Sequence, residues 1–187
     1  MIEEARRARD IDLLDAVDAF KREPFSGRVW RTVREGRDPL QGGPSRSRWC
    51  NGAFDVLFTS LEEDGAVAEI FSILSLQPVF PSKIFWAVHE IEVTADRTLK
   101  IADLPALARL GVDFASYRER LYDRTAEIAD AAYFLGFDGI VAPSARWACQ
   151  NLVLFTDRVA PERIETIGRA RTIDWSAWRQ RQRNERA

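Results

Sequence analysis

The segment FDVLFTSLEEDGAVAEIFSILSLQPVF (residues 54–80) sets one strand directly before one helix. Phe54 to Thr59 carries β-branched and aromatic residues over a strand's length. Ser60-Leu61-Glu62-Glu63 then has the spacing of a capping box, with Ser60 as N-cap and Glu63 reaching back. A helix is expected from there to about Leu76, ended by Pro78 and Pro81. Within it, Glu69 is the only charge between Gly65 and Phe80. On a helix it flanks the face made by Ala66, Ile70 and Ile73. A carboxylate beside apolar surface must be hydrated, paired or protonated.

Upstream, residues 3–22 read as an amphipathic helix. Ile11, Leu14, Val17 and Phe20 recur at helical spacing, with Asp10, Asp12, Asp15 and Asp18 between them. Pro24 and Gly27 break it, and Val29 to Val33 reads as a strand. Residues 35–52 form a long loop rich in Gly, Pro, Ser and Arg, a length more often functional or mobile than decorative. Downstream, Ile84 to Val93 reads as a strand with Thr98 to Ile101 as its partner, and residues 103–110 and 116–136 as helices. Gly136 suits the position after a helix end. Gly139 to Ala142, Leu152 to Thr156 and Ile164 to Ile173 read as strands, and Trp175 to Arg186 as a basic helix. Strands and helices mix without regular βαβ alternation, so the class is α+β. The chain divides into an N-terminal helical extension (1–24), one domain (25–173) and a C-terminal basic helix or tail (174–187).

The 187 residues suffice for one domain with a real core. A net charge of -2 provides no global field for nucleic acid or acidic membranes. Of 27 basic residues only Lys21, Lys83 and Lys100 are lysine, leaving 24 arginines, whose planar donors suit phosphate and carboxylate. Cys50 and Cys149 make neither a zinc motif nor a disulfide framework, which suits a reducing compartment. The N-terminus lacks a positively charged start and a long apolar run, and no stretch reaches a membrane span of roughly 18 apolar residues. The expected location is cytoplasmic.

The chemistry-bearing residues are scattered, each beside apolar or aromatic neighbours. Arg31 follows Trp30, and Arg48 precedes Trp49. Phe58 lies in the second strand. Ser144 follows a short apolar strand and Pro143, and either bonds a ligand or caps the turn across Ala145-Arg146-Trp147. Asn151 precedes Leu-Val-Leu-Phe and either binds ligand or closes a turn. Two fixed cations, one isolated carboxylate and aromatics are what a pocket for a diphosphate-linked nucleotide needs. Other chemistries find less support. His89 is the single histidine and reads as a satisfied strand residue, without an HExxH or a GxSxG partner motif. Gly42-Gly43 is not followed by the Lys-Ser/Thr of a P-loop, and no GxGxxG follows a strand. The tail's tryptophans and arginines read as a packed helix with solvated charges rather than a nucleic-acid contact.

Taken in order, these residues resemble the RES family, named for its Arg, Glu and Ser. The marks are Val29-Trp30-Arg31, Ser47-Arg48-Trp49, Val56-Leu57-Phe58-Thr59-Ser60, Ala66-Val67-Ala68-Glu69, and Ala142-Pro143-Ser144-Ala145 with Asn151 after it. They run from about Gly27 to about Val159. Phe58 and Trp30 stand where the family usually has tyrosine, and Ser47 where it has glycine. The resemblance implies an ADP-ribosyltransferase-like fold, with a small twisted β core flanked by helices. It also implies an NAD-consuming toxin of a bacterial toxin–antitoxin pair, cleaving the nicotinamide–ribose bond with water or phosphate as acceptor. NAD would be substrate rather than resident cofactor, with no metal required. Arg31, Glu69 and Ser144 would be catalytic, and Arg48, Trp49, Phe58 and Asn151 would bind substrate. The partner would be a separate Xre-like antitoxin, with no nucleic acid or membrane. Modification of a protein target, or a catalytically silent binding module, are the alternatives. The N-terminal helix, outside the resemblance, would pack on the domain or make a homo-oligomer contact.

Overall fold

Two long strands organise the chain. In the computed structural model, which describes residues 8–185, β1 (Arg22–Arg34) and β5 (Trp86–Lys100) pair antiparallel from Arg22↔Leu99 to Arg34↔Trp86. The other edge of β5 is shared. β8 (Ile164–Thr172) pairs antiparallel with its first half, and β6 (Gly139–Pro143) pairs parallel with Thr98–Lys100. β7 (Gln150–Phe155) joins β6, and β4 (Val56–Ser60) joins β7. β4 returns to β1 only at Trp30↔Ser60, so the sheet closes on itself through β1, β4, β7, β6 and β5. Two short strands, β2 (Arg46–Ser47) and β3 (Cys50–Asn51), form a separate hairpin.

Both faces of the sheet are covered, which explains the unbroken apolar run of β7. Leu152 and Leu154 point into one cluster with Val29, Leu57, Ile91 and Val93. Val153 and Phe155 point into the other. That second cluster is roofed by α1 (Ile11–Asp18), α3 (Leu104–Arg109) and α4 (Asp123–Phe134), through Leu13, Val17, Leu107, Ile128 and Ala132. A third cluster joins α2 (Glu63–Leu74) to α5 (Trp175–Glu185) through Phe71, Trp175 and Trp178. The α+β class read from the sequence is the observed one. The C-terminal helix packs through its tryptophans, and no helix among the described residues is long and apolar enough to cross a membrane.

Several expected elements differ, each for a local reason. The N-terminal helix is short, running from Ile11 with Asp10 as its N-cap; residues 3–7 of the expected span lie outside the described residues. It packs on α4 along Leu13 and Val17, while Ile11 is 71% exposed. Residues 84–93 and 98–101 are one strand rather than a pair. Their junction, Thr94-Ala95-Asp96-Arg97, has no Gly or Pro, and Asp138 accepts the Asp96 and Arg97 amides, which holds it extended. Ser60 does not cap α2. It is the last residue of β4, the cap position falls on Glu62 without a side-chain bond, and Ser60 Oγ accepts the Glu62 amide instead.

The helix expected over 116–136 begins only at Asp123. A helix would need the carbonyls of Arg118 and Glu119 for amides one turn ahead. Both instead accept from side chains, of Arg146 (2.5 Å) and Arg48 (3.1 Å). Tyr117 is buried and donates to the Pro143 carbonyl at 2.5 Å.

Candidate active site

The site forms where β1 leaves β4. Beyond the Trp30↔Ser60 pair the two strands diverge, and the Arg31 side chain occupies the gap. Its Nη1 donates to the Phe58 carbonyl (3.2 Å) and its Nη2 to the Gln41 carbonyl (3.3 Å). Its Nε is buried with no partner. Burial pulls this guanidinium below the ordinary arginine value, with Asp38 opposing, yet arginine stays charged at neutral pH.

Glu69 reaches the gap from α2, and Gly65 lets it do so. A Cβ on Gly65 would lie 2.3 Å from Ser60 Oγ and 2.6 Å from Cys149 Sγ. The glycine therefore lets α2 rest on the ends of β4 and β7, and Glu69 follows one turn later on the same face. Ser144 Oγ donates to Glu69 Oε1 at 2.9 Å, and Asn151 Nδ2 donates to the same oxygen at 3.0 Å. No donor reaches Oε2 among the described residues. Ser144 also caps its turn, because its oxygen accepts the Arg146 and Trp147 amides at 3.1 and 3.3 Å. Of the two roles open for Ser144, the structure shows the cap, and the hydroxyl proton goes to Glu69. Asn151 lies within β7, paired with Ser60 and Ala142, and its Oδ1 is buried without a partner.

Arg31, Glu69 and Asn151 line a cleft of about 380 Å³, within the range of small-molecule sites. The face Ala66, Ile70, Ile73 forms a wall of it, and the core side of α2 is Val67, Ala68 and Leu74. Arg48 sits at the tip of the β2–β3 hairpin, with its guanidinium over the rings of Tyr117 (4.5 Å) and Tyr122 (5.1 Å). Its Nη1 is buried and unpartnered. Burial lowers its pKa, the two tyrosines and Glu69 raise it, and Arg146 lowers it further. Trp49 is 2% exposed, packed in the core beneath the cleft, and Phe58 lines the cleft beside it. The structure thus gathers Arg31, Arg48, Trp49, Phe58, Glu69 and Asn151 on one cleft, with Ser144 bonded to Glu69.

Sequence reading missed Arg120, Arg146 and Tyr122, which line the same cleft. Arg146 precedes Trp147, the pattern that singled out Arg31 and Arg48, so that signal was available. His89 is not part of the site. It stands in β5 opposite Arg31, in a separate groove with Glu35, Arg37 and Asp38. Among the described residues no group of three or more His, Cys, Asp or Glu side chains has metal-binding geometry. The Cys149 thiol is pushed up by burial, with the Ser60 bond opposing, so it is not a thiolate at neutral pH.

Comparison with known proteins follows the same outline. No curated protein matches the chain. Among solved structures the fold is similar to a chain of the M. tuberculosis MbcT–MbcA toxin–antitoxin complex, with a TM-score of 0.80 at 18% identity. The superposition covers 92% of this chain and 98% of that one. The RES domain profile matches residues 28–176, from the middle of β1 to the start of α5. By that match over most of its length, the chain belongs to the RES domain family.

Proposed function

We propose that the chain is an NAD-consuming toxin that cleaves the nicotinamide–ribose bond. One observation carries the reading: Glu69 is held through a single oxygen by Ser144 and Asn151, inside a cleft whose arginines have no carboxylate partners among the described residues. A carboxylate so oriented presents Oε2 to a bound ligand. Arg31 and Arg48, each with a buried unsatisfied nitrogen, would clamp the diphosphate by charge-assisted bonds. Phe58 would pack the nicotinamide, and the unpartnered Asn151 Oδ1 would accept from a ribose hydroxyl or the nicotinamide amide.

In this reading the C1′–N bond breaks and its electron pair leaves with nicotinamide, which becomes neutral. Positive charge develops on the ribose as an oxocarbenium ion, and the Glu69 carboxylate stabilises it. Water or phosphate then bonds to C1′, and water would release its proton to solvent. The similarity in fold to a chain of a toxin–antitoxin complex supports a separate antitoxin, which we propose to be Xre-like.

The test is nicotinamide release from NAD by the purified chain, with Glu69→Gln alongside. Release by the wild type and loss of about 100-fold or more in the variant is expected, the scale on which single electrostatic groups act. Label from the ADP-ribose part in solution identifies water or phosphate as acceptor, and label on protein identifies ADP-ribosylation. No turnover by soluble wild-type protein, and cellular NAD unchanged on expression without antitoxin, would sink the reading.

A further inference from the structure

Tyr117 is 4% exposed and stands behind the cleft rather than on its wall. Its two chemical parts nevertheless reach both halves of the site. The hydroxyl donates to the Pro143 carbonyl at 2.5 Å. The ring lies against the Arg48 guanidinium, whose Cζ is 4.5 Å from the ring centre. Burial pushes the phenol's pKa up, with Arg48 opposing and Glu69 reinforcing, so the hydroxyl keeps its proton at neutral pH.

The hydroxyl acts on the residue after Pro143. The Pro143 carbonyl and the Ser144 amide belong to one planar peptide unit. Tyr117 holds that plane at its oxygen, and the Ser144 amide donates to the Cys149 carbonyl at 2.8 Å, which holds it at its nitrogen. Fixed at both edges, the plane sets the direction in which Ser144 leaves the backbone, and Ser144 Oγ then donates to Glu69 Oε1. The ring acts on Arg48, at the tip of a hairpin of two-residue strands with little structure of its own. The guanidinium is located by the rings of Tyr117 and Tyr122 and by the Glu119 carbonyl. Arg118 to Leu121 are exposed and Tyr122 is half-buried, so Tyr117 is the residue that anchors this segment in the core.

We infer that Tyr117 is a positioning residue for both halves of the site, its hydroxyl aligning Ser144 and through it Glu69, its ring holding Arg48. The inference rests on the NAD reading above and extends it to a residue that touches no substrate. The two roles separate by substitution, because Tyr117→Phe removes the hydroxyl and keeps the ring, while Tyr117→Leu removes both. A misaligned Glu69 stabilises the transition state less and lowers kcat. A displaced Arg48 holds the diphosphate less tightly throughout and raises KM.

The experiment is steady-state kinetics of nicotinamide release from NAD as a function of pH, with circular dichroism to show that each variant is folded. Tyr117→Phe is measured alone and with Ser144→Ala, and Tyr117→Leu alone and with Arg48→Gln. Tyr117→Phe is expected to lower kcat roughly 3- to 10-fold, the scale of one net hydrogen bond, with KM and the pH profile unchanged. Tyr117→Leu should add a rise in KM of about 3- to 30-fold, the scale of a desolvated cation–π contact. With Ser144→Ala present, Tyr117→Phe should lower kcat no further, and with Arg48→Gln present, Tyr117→Leu should raise KM no further. A kcat loss of equal size with and without Ser144 overturns the positioning role, because a general effect on folding does not depend on that hydroxyl. Wild-type kcat in Tyr117→Phe overturns it as well, and so does a shifted pH profile, which would make the phenol a proton donor. Where Tyr117→Leu does not fold, the Tyr117→Phe pair decides alone. Each of these leaves the NAD reading standing, whereas no nicotinamide release by folded wild-type protein overturns both.

Discussion

The Ser144 hydroxyl donates to Glu69 Oε1 at 2.9 Å across 75 residues of sequence, joining the β6–β7 turn to helix α2. Its direction is set by the turn. The hydroxyl oxygen already accepts two backbone amides, from Arg146 and Trp147, which leaves its one proton for the carboxylate. Local turn chemistry thereby aims a side chain carried by another element.

Ser144→Ala removes that bond and leaves two amides without their acceptor. A hydrogen bond to a charged group contributes about 1.5–3 kcal/mol, so kcat/KM for NAD cleavage is expected to fall roughly 10- to 100-fold. Ser144→Thr keeps the hydroxyl and should recover part of the loss. Steady-state kinetics on the three proteins checks this; equal activity in Ser144→Ala and wild type would remove Ser144 from the machinery.

Gly65→Ala places a methyl group against Ser60 Oγ and Cys149 Sγ, both on short side chains with little room to move. Overpacking of this kind costs about 1–3 kcal/mol, and here it also tilts the helix that carries Glu69. Thermal unfolding should show a Tm several degrees lower, with activity reduced more than stability. Adding Cys149→Ala should restore part of both, a non-additivity that a double-mutant cycle measures.

Trp178 ties α5 to α2. Its ring lies 4.8 Å from that of Phe71, and its Nε1 donates to Asp64 at 3.3 Å, beside the Arg181–Asp64 ion pair. Trp178→Ala is expected to cost roughly 3 kcal/mol, read as a lowered urea midpoint. Asp64→Asn, which keeps the indole packed, should cost less than 1 kcal/mol because that ion pair is partly solvent-exposed.

His89 supplies a pH dependence. Burial and the neighbouring Arg31 hold its pKa below the ordinary 6.5, with Asp38 opposing. The unfolded chain therefore takes up a proton before the native one does. Stability is unaffected well above pH 6.5, falls as pH drops through 6.5, and levels off below the native pKa. Urea unfolding at pH 7.5 and 5.5 should show this decline in wild type, and His89→Gln should lose that component. An identical decline in the variant would place its origin in other groups.

Much of the site was legible because its parts sit in distinctive local contexts. Glu69 stands out as a single charge in an apolar helix, and Arg31 and Arg48 each adjoin a tryptophan. Arg120 and Tyr122 were hidden because residues 116–136 have helical periodicity, which would make them ordinary helix positions. Ser60 looked like a cap for the same kind of reason. Its spacing to Glu63 is right, but pairing with Trp30 and Asn151 extends the strand through it.

The sequence by itself determined the α+β class, most of the strand and helix segments and the chemical parts of the site. These depend on periodicity, on Gly and Pro, and on side-chain type, all of which act within a few residues. Only the tertiary structure decided how the parts meet. It joined residues 86–100 into one strand, through pairing with β1 and the Asp138 carboxylate. It also left residues 116–122 outside the helix, where the Glu119 and Arg118 carbonyls accept from Arg48 and Arg146. Helix propensity differs by only tenths of a kcal/mol per residue, while a hydrogen bond from a charged donor is worth about 1.5–3 kcal/mol, so the long-range contacts prevail where the two conflict.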